Sequence, residues 1–582
     1  MYPTFFTIAA LAAVPVSAHA ADTPRTDRLI VKYQDAVPAG KGATRAAPVS
    51  VLRQGLVDRA GQQLGTRLTM LRVTGTGAHV FQLSRKVSLD EASALAADLM
   101  VRDASVAYAE PDRILTTMAT PTDPRYAEQW DLFEPTGGLR LPGAWDLATG
   151  AGVNVAVIDT GYLPHADLAG QVLPGYDFIA STNVAGDGNG RDSDATDPGD
   201  WLAASQCGAG MPAQDQSSSW HGTQVAGTIA AKASNGIGIA GIAWNAKIVP
   251  VRVLGKCGGY TSDIADGIIW ASGGLLFGVT MNPHKARVLN LSLGGGSSCG
   301  ATMQTAINGA RARGAVVVVA AGNAATDASN FTPANCAGVI TVAATNRSGG
   351  RAAYSNSGSI IDVAAPGGDA SAGILSTVNE GTRAPGGDAY ASYSGTSMAA
   401  PHVAGVVALM LSKNPALTPD QVEVQLKSSA RAFPAACSGC GAGIADAAAA
   451  LSAVATPLVV TRQAETESNN TLATANTVAA SGTIIDGTIA STSDSDYFRI
   501  AVAAGKQLGA TMTPGASAPD YDLFLYNSGG TLLSTSENGS GAVESVAVRN
   551  TGAVAATYYV GVRYYSGATG AANGKYALQL IR

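Results

Sequence analysis

Charge is scarce in this chain of 582 residues: Asp, Glu, Lys and Arg together make up 14%, where about a quarter is usual. The net charge is −6 with no long basic run, so nothing points to a nucleic-acid or general polyanion binder. After the first twenty residues no apolar run reaches the ~18 residues needed to cross a bilayer, which argues against stable membrane insertion. A zinc ribbon would need a second Cys-x-x-Cys beside Cys437-Ser-Gly-Cys440, and none is present. What the chain has instead is 69 glycines and 46% hydrophobic residues, enough for a large core with many tight turns. Its length suggests three or four domains at ~150 residues each.

Residues 1–20 read as an export signal. Phe5 to Val16 is almost wholly apolar and Ala18-His19-Ala20 supplies a small-x-small cleavage pattern, although no Lys or Arg precedes the apolar run. A secreted, extracellular protein is therefore expected. Six cysteines, Cys207, Cys257, Cys299, Cys336, Cys437 and Cys440, suit disulfides in an oxidising compartment. Many pairings are open to six cysteines; sequential pairing is the expectation, because Cys437 and Cys440 lie close together.

Three textures follow the signal. Residues 28–115 order as strand (Leu29–Tyr33), helix (Val51–Leu64), strands (Leu68–Val73 and His79–Leu83), helix and strand (Ser105–Tyr108), with the second helix opening on the capping box Ser88-Leu-Asp-Glu91. That is the βαββαβ order of a ferredoxin-like α+β unit. Between 150 and 455, strands at Val153–Ile158, Ile248–Val253, Val288–Leu291, Ala315–Ala320 and Val339–Ala343 alternate with helices. Helices are predicted at Thr223–Lys232, Ser262–Leu276, Met303–Arg313, Ser397–Ser412 and Pro419–Ser429. Continuous Val/Ile runs between helices predict a doubly wound α/β domain around a parallel sheet, with its site at the carboxyl ends of the strands. Residues 457–475 read as a polar linker and 476–582, rich in Gly, Ser and Thr with alternating strands, as a small β-sandwich.

Three motifs in the α/β segment carry chemistry: Asp159-Thr-Gly161 at a strand end, His221-Gly-Thr223 before a small-residue helix, and Gly395-Thr-Ser397 opening another. A serine attacks only when a base takes its proton and a carboxylate orients that base. Ser397 at a helix start also has free N–H groups beside it, and Ala320-Ala-Gly-Asn323 offers the Asn323 amide as a second oxyanion donor. The bland readings are weaker. Asp-Thr-Gly also marks aspartic proteases, which need two such carboxylates, and no second one occurs. Gly236-Ile-Gly238-Ile-Ala-Gly241 follows a helix rather than a strand and fails the dinucleotide context. His402 reads as a packed helix residue. An esterase is opposed by the lack of Gly-x-Ser-x-Gly at Ser397 and by the order Asp, His, Ser.

Taken together, Val157-Ile-Asp159-Thr-Gly161, His221-Gly-Thr-Gln-Val-Ala-Gly227, Ala321-Gly-Asn323 and Gly395-Thr-Ser397-Met-Ala-Ala-Pro-His-Val-Ala-Gly405 resemble the subtilases over about residues 120–456. Gln224 stands where that family usually has a second His. The resemblance implies a serine endopeptidase acting on protein or peptide substrates, with Asp159, His221 and Ser397 as triad and Asn323 in the oxyanion hole. It implies that substrate pairs as a strand beside Ser292, Leu293, Gly294 and Gly295, and that Gly294, Gly322 and the segment Phe331–Ala334 wall the first specificity pocket. The 21–119 segment resembles subtilase propeptides, implying an intramolecular inhibitor removed by cleavage within 117–121, and monomer is the default for such enzymes. Calcium is expected at Asp123, Asp167 and Asn235, which match calcium positions in several subtilases. Asp187, Asp192, Asp194, Asp197 and Asp200 in one Gly-rich loop form a second acidic candidate. From Glu465-Thr-Glu-Ser-Asn-Asn470 onward the chain resembles prepeptidase carboxyl-terminal domains. The rival reading is an exported binding protein on an inactive scaffold, opposed by the presence of all three triad residues and Asn323.

Overall fold

Alternating apolar residues organise the amino-terminal unit, the first of two compact units in this computed structural model, which describes residues 25–34, 51–63, 65–113, 120–208, 210–455, 462–515 and 519–582. Strand Arg25–Tyr33 pairs antiparallel with His79–Ser88 on one side and Val106–Pro111 on the other, and Leu68–Val73 completes the sheet. Leu29, Val31 and Tyr33 all face one way, into a core with Phe81, Leu95 and Leu99, as a period of two requires. Helix Leu89–Arg102 starts at the Ser88 capping box, with both reciprocal hydrogen bonds formed. The export signal lies outside the described residues, as do 117–119 of the expected cleavage region 117–121.

In the second unit, a seven-stranded parallel sheet runs in the order Val363–Pro366, Ile340–Thr345, Val316–Ala320, Val288–Leu291, Asn154–Asp159, Lys247–Arg252, Tyr176–Asp177. The first of these strands in sequence, Asn154–Asp159, lies inside the sheet, fifth of the seven, so chain order reverses beside it and opens a crevice at the carboxyl ends. Val155 and Val157 enter one core with helices His221–Ala230 and Thr396–Lys413, whereas Ala156 and Ile158 enter the other with Thr261–Ala271 and Ala301–Ala312. Burial on both faces explains why these strands are unbroken apolar runs. Helix Thr261–Ala271 ends earlier than the sequence suggests because Gly273, at φ +88°, and Gly274 follow it. An antiparallel hairpin, Ile374–Asn379 with Asp388–Tyr393, was not anticipated.

Two five-stranded sheets form the carboxyl-terminal sandwich. Arg462–Ala464, inside the stretch read as a linker, is instead an edge strand parallel to Thr483–Thr488, with Arg462 paired to Asp486. Its short length and polar side chains hid it. A single helical turn, Gly570–Asn573, interrupts the strands. The sandwich docks on the α/β domain through buried polar side chains. Asn308 donates to Ser534 Oγ at 2.8 Å, Thr511 to Asp420 at 3.0 Å and Gln507 to Glu423 at 3.2 Å. Disulfides join Cys207–Cys257, Cys299–Cys336 and Cys437–Cys440, the sequential pairing. Among the described residues no helix is long and apolar enough to cross a membrane.

Candidate active site

Asp159 is the last residue of the inner strand Asn154–Asp159, and His221 the first residue of helix His221–Ala230. Their loops touch at backbone level: a Cβ on Gly222 would lie 2.0 Å from the Gly161 carbonyl oxygen, so only glycine permits the approach. Trp220, at φ +49°, turns the chain into the helix. His221 Nδ1 meets Asp159 Oδ1 at 2.7 Å, and the Thr160 N–H donates to the same oxygen at 2.8 Å. Asp159 is fully buried and its Oδ2 has no hydrogen-bond partner. The His221 ring, one-fifth exposed, keeps Nε2 for other chemistry. Burial disfavours its imidazolium, but the charge and hydrogen bond of Asp159 outweigh this, with Asp200 and Asp197 adding to the effect, and the pKa is raised.

Ser397 is the second residue of helix Thr396–Lys413. Pro401 inside that helix has no N–H to offer the Ser397 carbonyl, and the Ser292 hydroxyl takes the vacancy, donating to that carbonyl at 2.8 Å. Asn290 Nδ2 in turn donates to Ser292 Oγ at 2.9 Å. Ser397 Oγ donates to the Ser292 carbonyl at 3.2 Å. The Ser292 side chain therefore anchors the helix that carries Ser397, a role its sequence context did not show.

Asn323 Oδ1 accepts both the N–H and the hydroxyl of Thr396, each at 2.8 Å. A backbone N–H can only donate, so the oxygen must face Thr396 and the NH₂ is left for the cleft. A cleft of about 590 Å³ is lined by Ser397, Asn323, Gly322, Ser292, Leu293, Gly294 and Gly295, with Phe331, Thr332, Pro333 and Met303 on its wall. Ala334 is fully buried and does not line it. Gly295–Gly296 pairs with Phe331–Thr332, and a Cβ on either glycine would meet nothing within 4 Å.

His402 is fully buried, with Nδ1 2.7 Å from the Met398 carbonyl and Nε2 3.0 Å from Asp131; it belongs to the packing. Gln224 is buried too and donates to the Ile374 carbonyl at 3.2 Å. Gly236–Gly241 is loop, as its context implied.

Asp123, Asp167 and Asn235 come together. Asp123 accepts the N–H groups of Ser234 and Asn235 at 2.7 and 3.1 Å, and Asn235 Nδ2 donates to Asp167 at 2.8 Å. Asp167 is wholly buried, its hydrogen bonds come only from neutral donors (Asn235, Ile239 and Tyr390), and burial pushes its pKa up. Two buried carboxylates served by neutral donors fit a hard cation. The acidic loop does not converge in this way. Asp187 pairs with Arg252 at 2.6 Å, Asp194 caps its own turn through Thr196 N–H at 3.0 Å, and Asp200 holds Ser219 at 2.6 and 2.7 Å. Their oxygens hold turns, Ser219, Thr160 and Arg252 and do not gather at one point. Among the described residues a group of three acidic oxygens within 4.8 Å of one another occurs at Glu465, Glu467 and Asp496 in the sandwich.

Residues 150–450 match the subtilase family. The chain is 53% identical over 435 residues to an extracellular protease of Xanthomonas campestris pv. campestris, covering 73% of this chain and 72% of that protein. It is 42% identical over 436 residues to an extracellular basic protease of Dichelobacter nodosus, covering 73% and 70%. Among solved structures, a protease from Pseudoalteromonas arctica superposes with a TM-score of 0.57 at 60% identity, covering 58% of this chain and 100% of that one.

Proposed function

Because the chain belongs to the subtilase family and is a subtilisin-type serine endopeptidase, we propose that Ser397 is its nucleophile, His221 the general base and Asp159 the residue that orients the base. The observation that carries this is the 2.7 Å contact between His221 Nδ1 and buried Asp159, beside a cleft that holds both Ser397 and Asn323. Bound substrate draws Ser397 Oγ from the Ser292 carbonyl to His221 Nε2, which takes its proton as the Oγ–C bond forms. Asp159 fixes the tautomer and stabilises the imidazolium. The oxyanion is met by the Ser397 N–H and the Asn323 NH₂. His221 then gives the proton to the leaving amine as the C–N bond breaks, and water, activated by the same base, releases the acyl group.

The substrate backbone adds as a strand on the edge of Gly294–Gly295 that Phe331–Thr332 leaves open. Residues 120–455 act as the peptidase, the amino-terminal unit as a removable inhibitor, and the protein works outside the cell. Calcium fits Asp123, Asp167 and Asn235, where it would supply the positive charge their buried carboxylates lack. The test is turnover of an activated ester followed in the first second. Wild type should show a burst of product equal to the enzyme present, with no burst in Ser397→Ala; a burst in that variant would remove Ser397 from the role.

A further inference from the structure

Asp197 is an acid of the Gly-rich loop that the mechanism does not use. It is 1% exposed, takes the Gly199 N–H on Oδ1 at 2.9 Å, and takes the Thr160 hydroxyl on Oδ2 at 2.7 Å. Thr160 follows Asp159 in sequence and is fastened on every polar atom. Its N–H donates to the Asp159 oxygen that His221 also reaches. Its hydroxyl accepts the N–H of Gly222, the residue after His221, at 3.0 Å, and its carbonyl accepts Arg252 Nε at 3.2 Å. A threonine hydroxyl has one proton. Because Asp197 receives it, the oxygen's lone pair is free for Gly222. Both members of the base pair, Asp159 and the start of the His221 helix, thus hang on one hydroxyl whose direction Asp197 sets.

We propose that Asp197 is a positioning residue for the catalytic triad, holding Asp159 and His221 in register through Thr160 and adding negative charge behind the imidazolium. This rests on the triad reading above. The charged groups around it are Asp159 and His221 in front, Asp200 on the same loop, and Arg252 behind. Asp200 is tied to Ser219, and Arg252 is shared with Asp177 and Asp187. No cation is hydrogen-bonded to Asp197 itself, and burial lifts its pKa to about 7 against the Thr160 and Gly199 hydrogen bonds, so its negative charge adds to that of Asp159 on His221 most fully above that pH. An Asn here would point an NH₂ at one of two donors that now find an oxygen.

The test uses the full chain with active sites counted by a fluorophosphonate, comparing Asp197→Asn, Thr160→Val and Thr160→Ser on a peptide anilide across pH. Asp197→Asn should lower kcat by about 10-fold to 10²-fold with little change in KM, and should move the acid limb of kcat/KM to lower pH. Thr160→Val should lower kcat comparably, Thr160→Ser should keep it, and the double variant Asp197→Asn/Thr160→Val should lose much less than the product of the single losses. An Asp197→Asn enzyme with kcat and acid limb unmoved, or two losses that multiply, would overturn the proposal. If Asp197→Asn does not fold, equal kcat in Thr160→Val and Thr160→Ser overturns it instead. Ser397→Ala assayed alongside separates the two claims. Activity there defeats the triad reading, whereas an inactive Ser397→Ala beside an unchanged Asp197→Asn defeats only this one.

Discussion

The substrate cleft and the seam between the α/β domain and the sandwich handle charge in opposite ways. No charged side chain lines the cleft; its walls are glycine and alanine backbone with Leu293, Phe331 and Met303. The seam buries charge deliberately. Arg311 pairs with Asp420 and also donates to the Gly338 carbonyl, while Asp362 takes Lys427 at 2.9 Å and, across the seam, Arg549 at 3.4 Å. Arg311, Asp362, Asp420 and Arg549 are all buried. A neutral cleft reads a substrate by backbone and shape, so many sequences can enter. A buried ionic seam tolerates one arrangement, since losing one partner strands the other. Activity should therefore be sensitive on one side and stability on the other.

The sharpest break in that comparison is His221→Ala, which should cost about 10⁶ in kcat while leaving the thermal midpoint near wild type. Its mirror image is Asp362→Asn, which takes the counter-charge from Arg549 and leaves Lys427 with Glu423 alone. Unfolding should become about 3–5 kcal/mol easier, with kcat per titrated active site unchanged; a large fall in kcat would mean that seam and cleft are not separate. Asn323→Ala should lower kcat by ~10²–10³ and spare KM, as read from steady-state hydrolysis of a peptide substrate. Chelation should lower the melting temperature, and at free calcium a hundredfold above Kd the loss is about 2.7 kcal/mol. Asp167→Asn should make the protein indifferent to chelator.

The smallest effect is on pH. His221 works as a base only when neutral, and its pKa is raised in the fold. Activity should therefore be full at higher pH and fall, as pH drops, through a value above the ordinary ~6.5 of histidine. A limb at or below that value would mean that Asp159 does not hold the ring as described.

Long-range order was legible wherever the chain repeats a physical requirement. Val316–Ala320 can only be a strand buried on both faces; Gly222 is glycine because its backbone meets the Gly161 carbonyl, and Gly161 because its φ is +102° and the Ala195 carbonyl lies close. What escaped was short or depended on distant partners. Tyr176–Asp177 is two residues long and exists only by pairing with Lys247–Arg252. Arg462–Ala464 looks polar because it lies on an edge. For the acids of 187–200 the sequence shows their sign and not their partners; Arg252 and Thr160 reach them from other elements. Ser292 was read as cleft lining, and its hydroxyl role becomes visible only once Pro401 is seen to leave the Ser397 carbonyl unpaired within its helix.

The central claim, that Ser397 is activated by the His221–Asp159 pair, is tested most directly by labelling the secreted protein with a fluorophosphonate beside Ser397→Ala, with casein hydrolysis read in parallel. The account predicts labelling and hydrolysis in the wild type and neither in the variant. A properly folded, fully processed wild-type protein that takes no label and cuts no casein would contradict it.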